Sequence, residues 1–225
     1  MRRKFLAAAL ALAALAVGSS SALATNTPTF TVPAGTVAAA GTKFVGTGSE
    51  VRFLDTSGSA VLSCTTSSMT AEVLKNAGGI LEANITSVRF IGSEAPVGGE
   101  QDKACPGFVN ASYTVTTPWC LRSTTTMKTD EFQTRGGKCS EAAKPIRFHM
   151  VTEAIGTCAY ERAAGSPITG TLRTHPEQAT LTINSTPSGS GFSKTEGSAF
   201  CPSSETLQLS FTLDDENGVP VYIDS

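Results

Sequence analysis

The side chains of this sequence that could do chemistry are six cysteines, two histidines and a few clustered carboxylates. No two cysteines are spaced as CxxC and no histidine lies close to one, so the pattern does not indicate a zinc site. An even number of cysteines in an exported chain indicates three disulfides instead. The cysteines are Cys64, Cys105, Cys120, Cys139, Cys158 and Cys201.

The two histidines are the only candidates for a general base of the serine-hydrolase kind, and neither has the expected context. There is no GxSxG elbow for a nucleophile, and HMVTE at 149–153 lacks the glutamate of the zinc pattern HExxH. His149 falls on a predicted strand, and His175 precedes Pro176 in a turn-like segment. We therefore expect both histidines to be incidental.

Two clusters of carboxylates could serve glycoside hydrolysis, which needs a pair of acidic side chains. One is Asp130 with Glu131, and the other is 214–216 in a predicted hairpin turn. The segment 214–218 also lacks the 12-residue ligand spacing of a calcium loop. Solvated turn charges are the favoured interpretation. No catalytic, metal-binding or cofactor-binding residue is predicted, and whether the chain is an enzyme stays open, leaning to no.

The N-terminus has the pattern of a secretory signal peptide over residues 1–24. A basic start at 2–4 is followed by an apolar run at 5–17, and small residues at 22–24 suit cleavage. The run is too short for a bilayer core of about 30 Å, so no stable membrane span is expected after cleavage. The letters RRKFL also resemble a twin-arginine signal. The general secretory route is favoured because disulfides cannot form in a reducing cytoplasm before export.

The charge of the mature chain limits the classes of partner. Removing residues 1–24 takes three basic residues from 17 and leaves the 19 acidic ones, a net charge of −5. Such a chain lacks the basic face that nucleic-acid phosphates require, and it has no polybasic patch for anionic lipid. We expect no nucleic-acid partner.

A weak internal duplication indicates how the cysteines pair. Cys64 and Cys158 are each followed by a strand pattern and then by a Cys-Pro pair, after 41 and 43 residues. Six cysteines allow fifteen pairings, and spacing alone cannot choose among them. If both halves share a bridge, the pairs are Cys64–Cys105 and Cys158–Cys201, which leaves Cys120–Cys139.

Many short alternating segments separated by Gly, Pro and Ser predict an all-β fold, an antiparallel sandwich or barrel stapled by three disulfides. Two similar halves are one option within a single secreted domain, 25–225. The pseudo-repeats run over about 45–117 and 146–225. Residues 118–145 are rich in Thr and charge and are predicted to be an exposed insertion. Loops vary while a scaffold holds them, so binding is expected there.

Side-chain alternation also predicts which faces are buried. At 84–91, Ile85 is placed on one face and Thr86, Val88 and Phe90 on the other. In the strand at 146–153, Ile146, Phe148 and Met150 are expected inward, with Arg147, His149 and Val151 outward. In the strand at 205–213, one face is predicted to carry Leu207, Leu209, Phe211 and Leu213. Residues 214–218 are expected to turn this strand into a hairpin with 219–223.

Four segments together carry a resemblance to known proteins: LSCTTSSMTAEV, ITSVRFIG, GTCAYERAAGSPITGTL and NGVPVYI. They resemble a group of secreted actinobacterial proteins of unassigned function. These share a cysteine-bearing strand early, a GTCxY strand later and a terminal Pro-x-Tyr-Ile strand. Several have a cysteine directly after the SVxFxG strand, where this chain has Ser93. The resemblance implies no activity, cofactor or catalytic residue.

Three hypotheses for function follow. The leading one is an exported, non-catalytic β protein that acts at or outside the cell envelope as a binding or structural module for an unidentified ligand. The alternative is a secreted hydrolase that uses carboxylates or His149. The third is an inhibitor or ligand carrier that presents residues 122–144 or a barrel mouth. A deep pocket with convergent Asp, Glu or His would favour the enzyme, and a filled core would favour the module.

Overall fold

The computed structural model describes residues 29–32, 35–107, 109–124, 127, 131–173, 177–184 and 191–224. The predicted signal peptide, 1–24, and His175 and Asp130 lie outside these residues. All regular structure in the described part is β-strand. None of it forms a helix long and apolar enough to cross a membrane. The strands are β1 Thr29–Thr31, β2 Lys43–Gly48, β3 Val51–Leu54, β4 Ala60–Cys64, β5 Thr66–Ala77, β6 Ile80–Ile91, β7 Ala111–Val115, β8 Trp119–Thr124, β9 Glu131–Gly136, β10 Ile146–Thr152, β11 Gly156–Arg162, β12 Ile168–Arg173, β13 Thr180–Asn184, β14 Phe192–Glu196, β15 Ser204–Asp215 and β16 Tyr222–Asp224.

Eight strands close into an antiparallel barrel. Their order is β2, β5, β6, β8, β9, β12, β13 and β15, and the pairing of β15 with β2 completes the circle. Because the barrel closes, each of its strands is hydrogen-bonded to a neighbour on both sides along its paired length. No sheet edge is left there for another chain to pair with and aggregate. The prediction of an all-β antiparallel fold is confirmed, in its barrel form.

A second sheet grows from the long strand β15. The C-terminal half of β15 pairs with β13 and β2 in the barrel, and its N-terminal half pairs with β14 and β3. Beyond β14 follow β11, β10 and β7, while β4 pairs with β3. One continuous strand therefore belongs to both layers and fixes their relative placement.

The second sheet encloses a core of aromatic rings centred on Phe148. Its ring centroid lies 4.9 Å from Phe192, 5.1 Å from Tyr160, 5.7 Å from Phe53 and 5.8 Å from Tyr113. The alternation predicted for 146–153 is confirmed, because the inward side chains are buried while the outward ones lie at the surface. Two-residue periodicity thus placed the centre of this core correctly.

In β6, the predicted assignment of side chains to the two faces of the strand is correct on only one side of Thr86. The register with β5 shifts there, so that Thr86 is an extra residue between two paired neighbours. Ile85 before it and Val88 and Phe90 after it are all buried, although simple alternation places Ile85 opposite the other two. A β-bulge rotates the strand by one position. It allows the first half of β6 to face the barrel interior and the second half to reach the aromatic core.

All three predicted disulfides are present: Cys64–Cys105, Cys120–Cys139 and Cys158–Cys201. The first and third join residues outside the barrel strands, and each encloses one hairpin of the barrel, β5–β6 or β12–β13. The two halves are similar in this respect. The bridges therefore fix the points at which the chain leaves the barrel and returns.

The predicted exposed insertion, 118–145, is wrong as a description of this segment. It supplies β8 and β9, two adjacent barrel strands that pair with β6 and β12. Leu121 and Phe132 are buried in the core. The polar side chains of Arg122, Glu131, Gln133 and Arg135 alternate with buried positions along these two strands, and this alternation was not recognised in the sequence. Residues 125–126 and 128–130 lie outside the described part.

Asn76 is a buried polar residue near the end of β5, just before the turn that leads into β6. The turn lies at Gly78 and Gly79, whose φ angles of 63° and 78° suit a two-residue hairpin. The Asn76 side chain accepts a hydrogen bond from Phe30 N (3.0 Å) and donates to Phe30 O (2.8 Å) and Ala38 O (2.9 Å). These bonds hold the N-terminal strand β1 against the barrel.

The end of the chain follows the prediction in part. Residues 214–218 turn the chain into a short hairpin, in which Asp214 bridges Pro220, Asp215 N donates to the Val219 carbonyl (2.8 Å) and Val221 N donates to the Leu213 carbonyl (3.1 Å). Beyond this hairpin, strand β16 pairs with β1 in a separate two-stranded sheet. The N- and C-terminal strands therefore lie side by side.

Candidate functional site

The barrel interior is filled by side chains. A Cβ atom on Gly170 would lie 2.6 Å from the Thr182 carbonyl oxygen and would meet the Phe132 ring. A Cβ on Gly46 would lie 2.6 Å from Met69 Cγ. Only glycine fits at these two inward positions, because neighbouring side chains and backbone fill the space, as in a close-packed core. At the levels of Gly46 and Gly170, the described side chains leave no room for a ligand inside the barrel.

Replacing Gly170 with alanine tests this packing. We expect the free energy of unfolding to fall by about 1–3 kcal/mol, because the added methyl forces the Phe132 ring or the strand backbone to move. The matched control is Gly191→Ala, where the new Cβ would have ordinary contact, 3.7 Å from the Glu205 carbonyl oxygen. Urea titrations of the three proteins should show a control within about 0.5 kcal/mol of wild type. Equal stability of all three would mean that the interior has spare room.

A groove of about 310 Å³ lies on the outside, where β3, β13 and β15 meet. Its polar side chains come from outward positions of these strands, and the register places Gln208 opposite Arg52 and Ser210 opposite Thr182. The alternation of β15 is as predicted for Leu207, Leu209, Phe211 and Leu213, and it leaves Gln208 and Ser210 for this surface. The lining residues are Glu50, Arg52, Thr182, Ile183, Gln208, Leu209 and Ser210.

Two side-chain pairs preorganise the groove. Arg52 donates to Glu50 through Nε at 2.8 Å and through Nη2 at 3.1 Å, a bidentate pair that raises the pKa of the guanidinium. The hydroxyls of Thr182 and Ser210 lie 2.9 Å apart and share a hydrogen bond. The groove therefore presents a paired charge and a hydroxyl pair, groups that can bind a polar ligand through hydrogen bonds.

The structure does not bring the predicted chemical residues together. His149 is exposed on β10, and its cross-strand neighbours are Ala159 and Thr114. Glu161, on the neighbouring strand β11, is bound to Arg147 at 2.6 Å. Glu131 lies on β9 opposite Thr171 in the barrel wall.

The acidic cluster at 214–216 has structural contacts. Asp214 accepts a hydrogen bond from Gln178 Nε2 at 2.7 Å, and Asp215 accepts bonds from the Val219 and Asn217 amides at 2.8 Å each. The bond from Val219 is the largest cause of the lowered pKa of Asp215. These carboxylates shape the turn, which agrees with the turn role favoured from the sequence.

Glu205 is the residue that sequence reasoning missed. It precedes Leu207 on the inward face of β15 and is 1% exposed beside the aromatic core. Burial raises its pKa from the ordinary 4.5 to about 8, and the nearby Tyr160 hydroxyl lowers it in part. Among the described residues, no group lies in hydrogen-bonding geometry to either carboxyl oxygen or to the Tyr160 hydroxyl. The same alternation that selected Leu207 places Glu205 inside, so this signal was available.

Phe200 is an exposed aromatic side chain, with 82% of its surface accessible. It sits in a short turn that ends at the bridged Cys201. Its amide donates to the Ser198 hydroxyl at 3.2 Å, and Lys194 Nζ donates to the Ser198 carbonyl at 3.1 Å. The turn is therefore well ordered while the ring itself projects into solvent.

Comparison with known proteins identifies no matching family model, no matching curated protein and no matching solved structure.

Proposed function

We propose that this chain is an exported, non-catalytic β protein that acts at or outside the cell envelope as a binding or structural module. Three disulfides suit an oxidising setting, where such bonds persist, and the signal-peptide pattern at 1–24 supports export. The mature net charge of −5 disfavours nucleic acid and anionic lipid as ligands.

The observation that carries this proposal is the filled barrel with its polar groove on the outside. A carrier of the lipocalin kind needs an open interior, and here Gly46 and Gly170 are pressed against their neighbours. The groove beside Arg52 and Gln208 is open and is built from preorganised polar pairs. These features suit reversible contact with an extended surface, and we assign the binding role to this groove.

The hydrolase alternative requires a base and an acid that converge on one pocket. His149 lies on the outer face of the second sheet, and Glu161 on that sheet is engaged by Arg147. No specific observation in the described structure favours this alternative. We keep it as an outcome of the test below.

The test is cosedimentation of the purified mature protein with cell envelopes of the organism that encodes it. We expect wild type to sediment and the double variant Arg52→Ala/Gln208→Ala to lose at least tenfold in affinity. Arg122→Ala is the matched control, because Arg52 and Arg122 are 51% and 52% exposed and each pairs with a glutamate, Glu50 or Glu82. The control variant should sediment like wild type.

Two outcomes would contradict the proposal. If the wild-type protein stays in solution, the cell envelope is not its site of action. Release of soluble sugar or peptide from the envelopes by wild type but not by His149→Ala would establish the hydrolase instead.

A further inference from the structure

The barrel and the second sheet meet at β15, and the pairing of β15 with β14, here called the β14–β15 joint, is short. Strand β14 pairs with β15 through only two residue pairs, Phe192 with Glu205 and Ser193 with Ser204. One further bond, from Lys194 N to the Ser203 carbonyl (3.0 Å), extends it. The other pairings of β15 are wider, with five residue pairs to β13 and four each to β2 and β3. Opening this joint would therefore leave β15 held in the barrel.

Glu205 occupies this joint, with its side chain turned into the apolar core. The titratable groups that face it are Tyr160 from β11 and Tyr113 from β7, and both phenols have pKa values raised by burial first and then by the Glu205 charge. Tyr113 donates its hydroxyl to Met150 Sδ at 3.4 Å. The aromatic core side chains from β3, β10 and β14 are Phe53, Phe148 and Phe192.

The cation nearest in sequence to the joint is already engaged elsewhere. Lys194 Nζ on β14 binds the carbonyl oxygens of Ser198 (3.1 Å) and Cys201 (3.4 Å). Within the described residues, the carboxyl of Glu205 thus lies near two phenols and beside Phe192 across the strand pair, and it has no cationic partner. A buried carboxylate without a partner is strongly disfavoured, so the closed joint requires the neutral acid.

We propose that the β14–β15 joint is a pH-controlled switch that opens when the carboxyl of Glu205 ionises. Opening two residue pairs brings the carboxylate to water, which relieves the cost of burial. The Cys158–Cys201 bridge keeps β11 tied to the segment that leads into β15, so the opening is local and reversible. The switch does not depend on what the groove binds.

Proton linkage gives the size and direction of the effect. The pKa of Glu205 is about 8 in the closed joint, and 4.5 is the ordinary value for a solvated carboxyl. Because the closed form binds the proton more tightly, the stability of the joint is complete below pH about 4.5 and is lost as the pH rises toward 8. The opening equilibrium should increase about tenfold per pH unit in this window and level off above it.

Hydrogen exchange measured at peptide level tests the switch. Exchange of the peptides 192–196 and 203–207 is followed from pH 6 to 9 and corrected for the intrinsic dependence on pH. We expect protection in wild type to fall about fiftyfold between pH 6 and 8 and only about twofold more by pH 9. In Glu205→Gln, which keeps a neutral side chain, protection should not change with pH. The peptide 68–75 in the barrel serves as the internal control and should be unchanged in both proteins.

Three results would overturn the proposal. Wild-type protection that is constant across the range would show that ionisation does not open the joint. A slope that persists in Glu205→Gln would assign the change to another group, and a parallel loss in the barrel peptide would indicate global unfolding. If Glu205→Gln fails to fold, Glu205→Leu replaces it as the neutral variant, and the wild-type profile alone still decides the first and third results.

Discussion

Reduction of the three disulfides is expected to lower the free energy of unfolding by about 11 kcal/mol and to unfold the chain. The bridged residues are separated by 41, 19 and 43 positions. In the chain-entropy description, loops of these lengths contribute about 4, 3 and 4 kcal/mol by restricting the unfolded state. Domains of this kind are stable by about 5–15 kcal/mol, so the loss is comparable with the total.

The fluorescence of the single tryptophan reports this loss. Trp119 is buried in β8, and its indole donates to the Thr116 carbonyl at 2.7 Å. Urea titrations compare the oxidised protein with the reduced and alkylated one, and Cys120→Ala/Cys139→Ala measures the shortest loop alone. That variant should lose the least of the three pairwise replacements. A reduced chain that keeps the native emission and a cooperative transition would contradict the expected result.

Replacing Phe148 with alanine is expected to lower the free energy of unfolding by about 3–5 kcal/mol. Four aromatic rings surround the Phe148 ring within 5.8 Å between centroids. Truncation removes its buried surface and leaves a cavity that these rigid neighbours cannot fill, because the disulfides and β15 hold the sheet in place.

Phe200→Ala is the matched control for this change, since it makes the same substitution at a ring that is 82% exposed. Its effect on stability should stay within about 0.5 kcal/mol. Thermal and urea unfolding, followed by circular dichroism, compares the two variants. Similar losses in both would show that the aromatic cluster is not the main core of the second sheet.

The part of this fold that could be predicted from the sequence depends on local patterns. Alternation at 146–153 identified the inward Phe148, and the spacing of Cys64 and Cys158 to their Cys-Pro partners gave the correct bridges. The bulge at Thr86 could not be found in this way. One extra residue shifts the alternation without leaving a characteristic residue type, and only the partner strand defines the new register.

The groove could not be predicted from the sequence, for a related reason. It joins Arg52, Thr182 and Gln208 through the register of three strands that are far apart in the chain. Periodicity tells which face of a strand a residue occupies, but not which residue lies opposite. The burial of Glu205 could have been predicted from the sequence, because Glu205 shares the inward face of β15 with Leu207. Its polar side chain obscured this pattern.

The sharing of β15 has a consequence for how this chain can be divided. The barrel takes β2, β5 and β6 from the first pseudo-repeat, β8 and β9 from the middle, and β12, β13 and β15 from the second. Neither half contains enough strands to close a circle, and a fragment of either would expose unpaired edges that invite strand addition from other molecules. The barrel is therefore a single folding unit, in which each half of the chain supplies strands that the other half lacks.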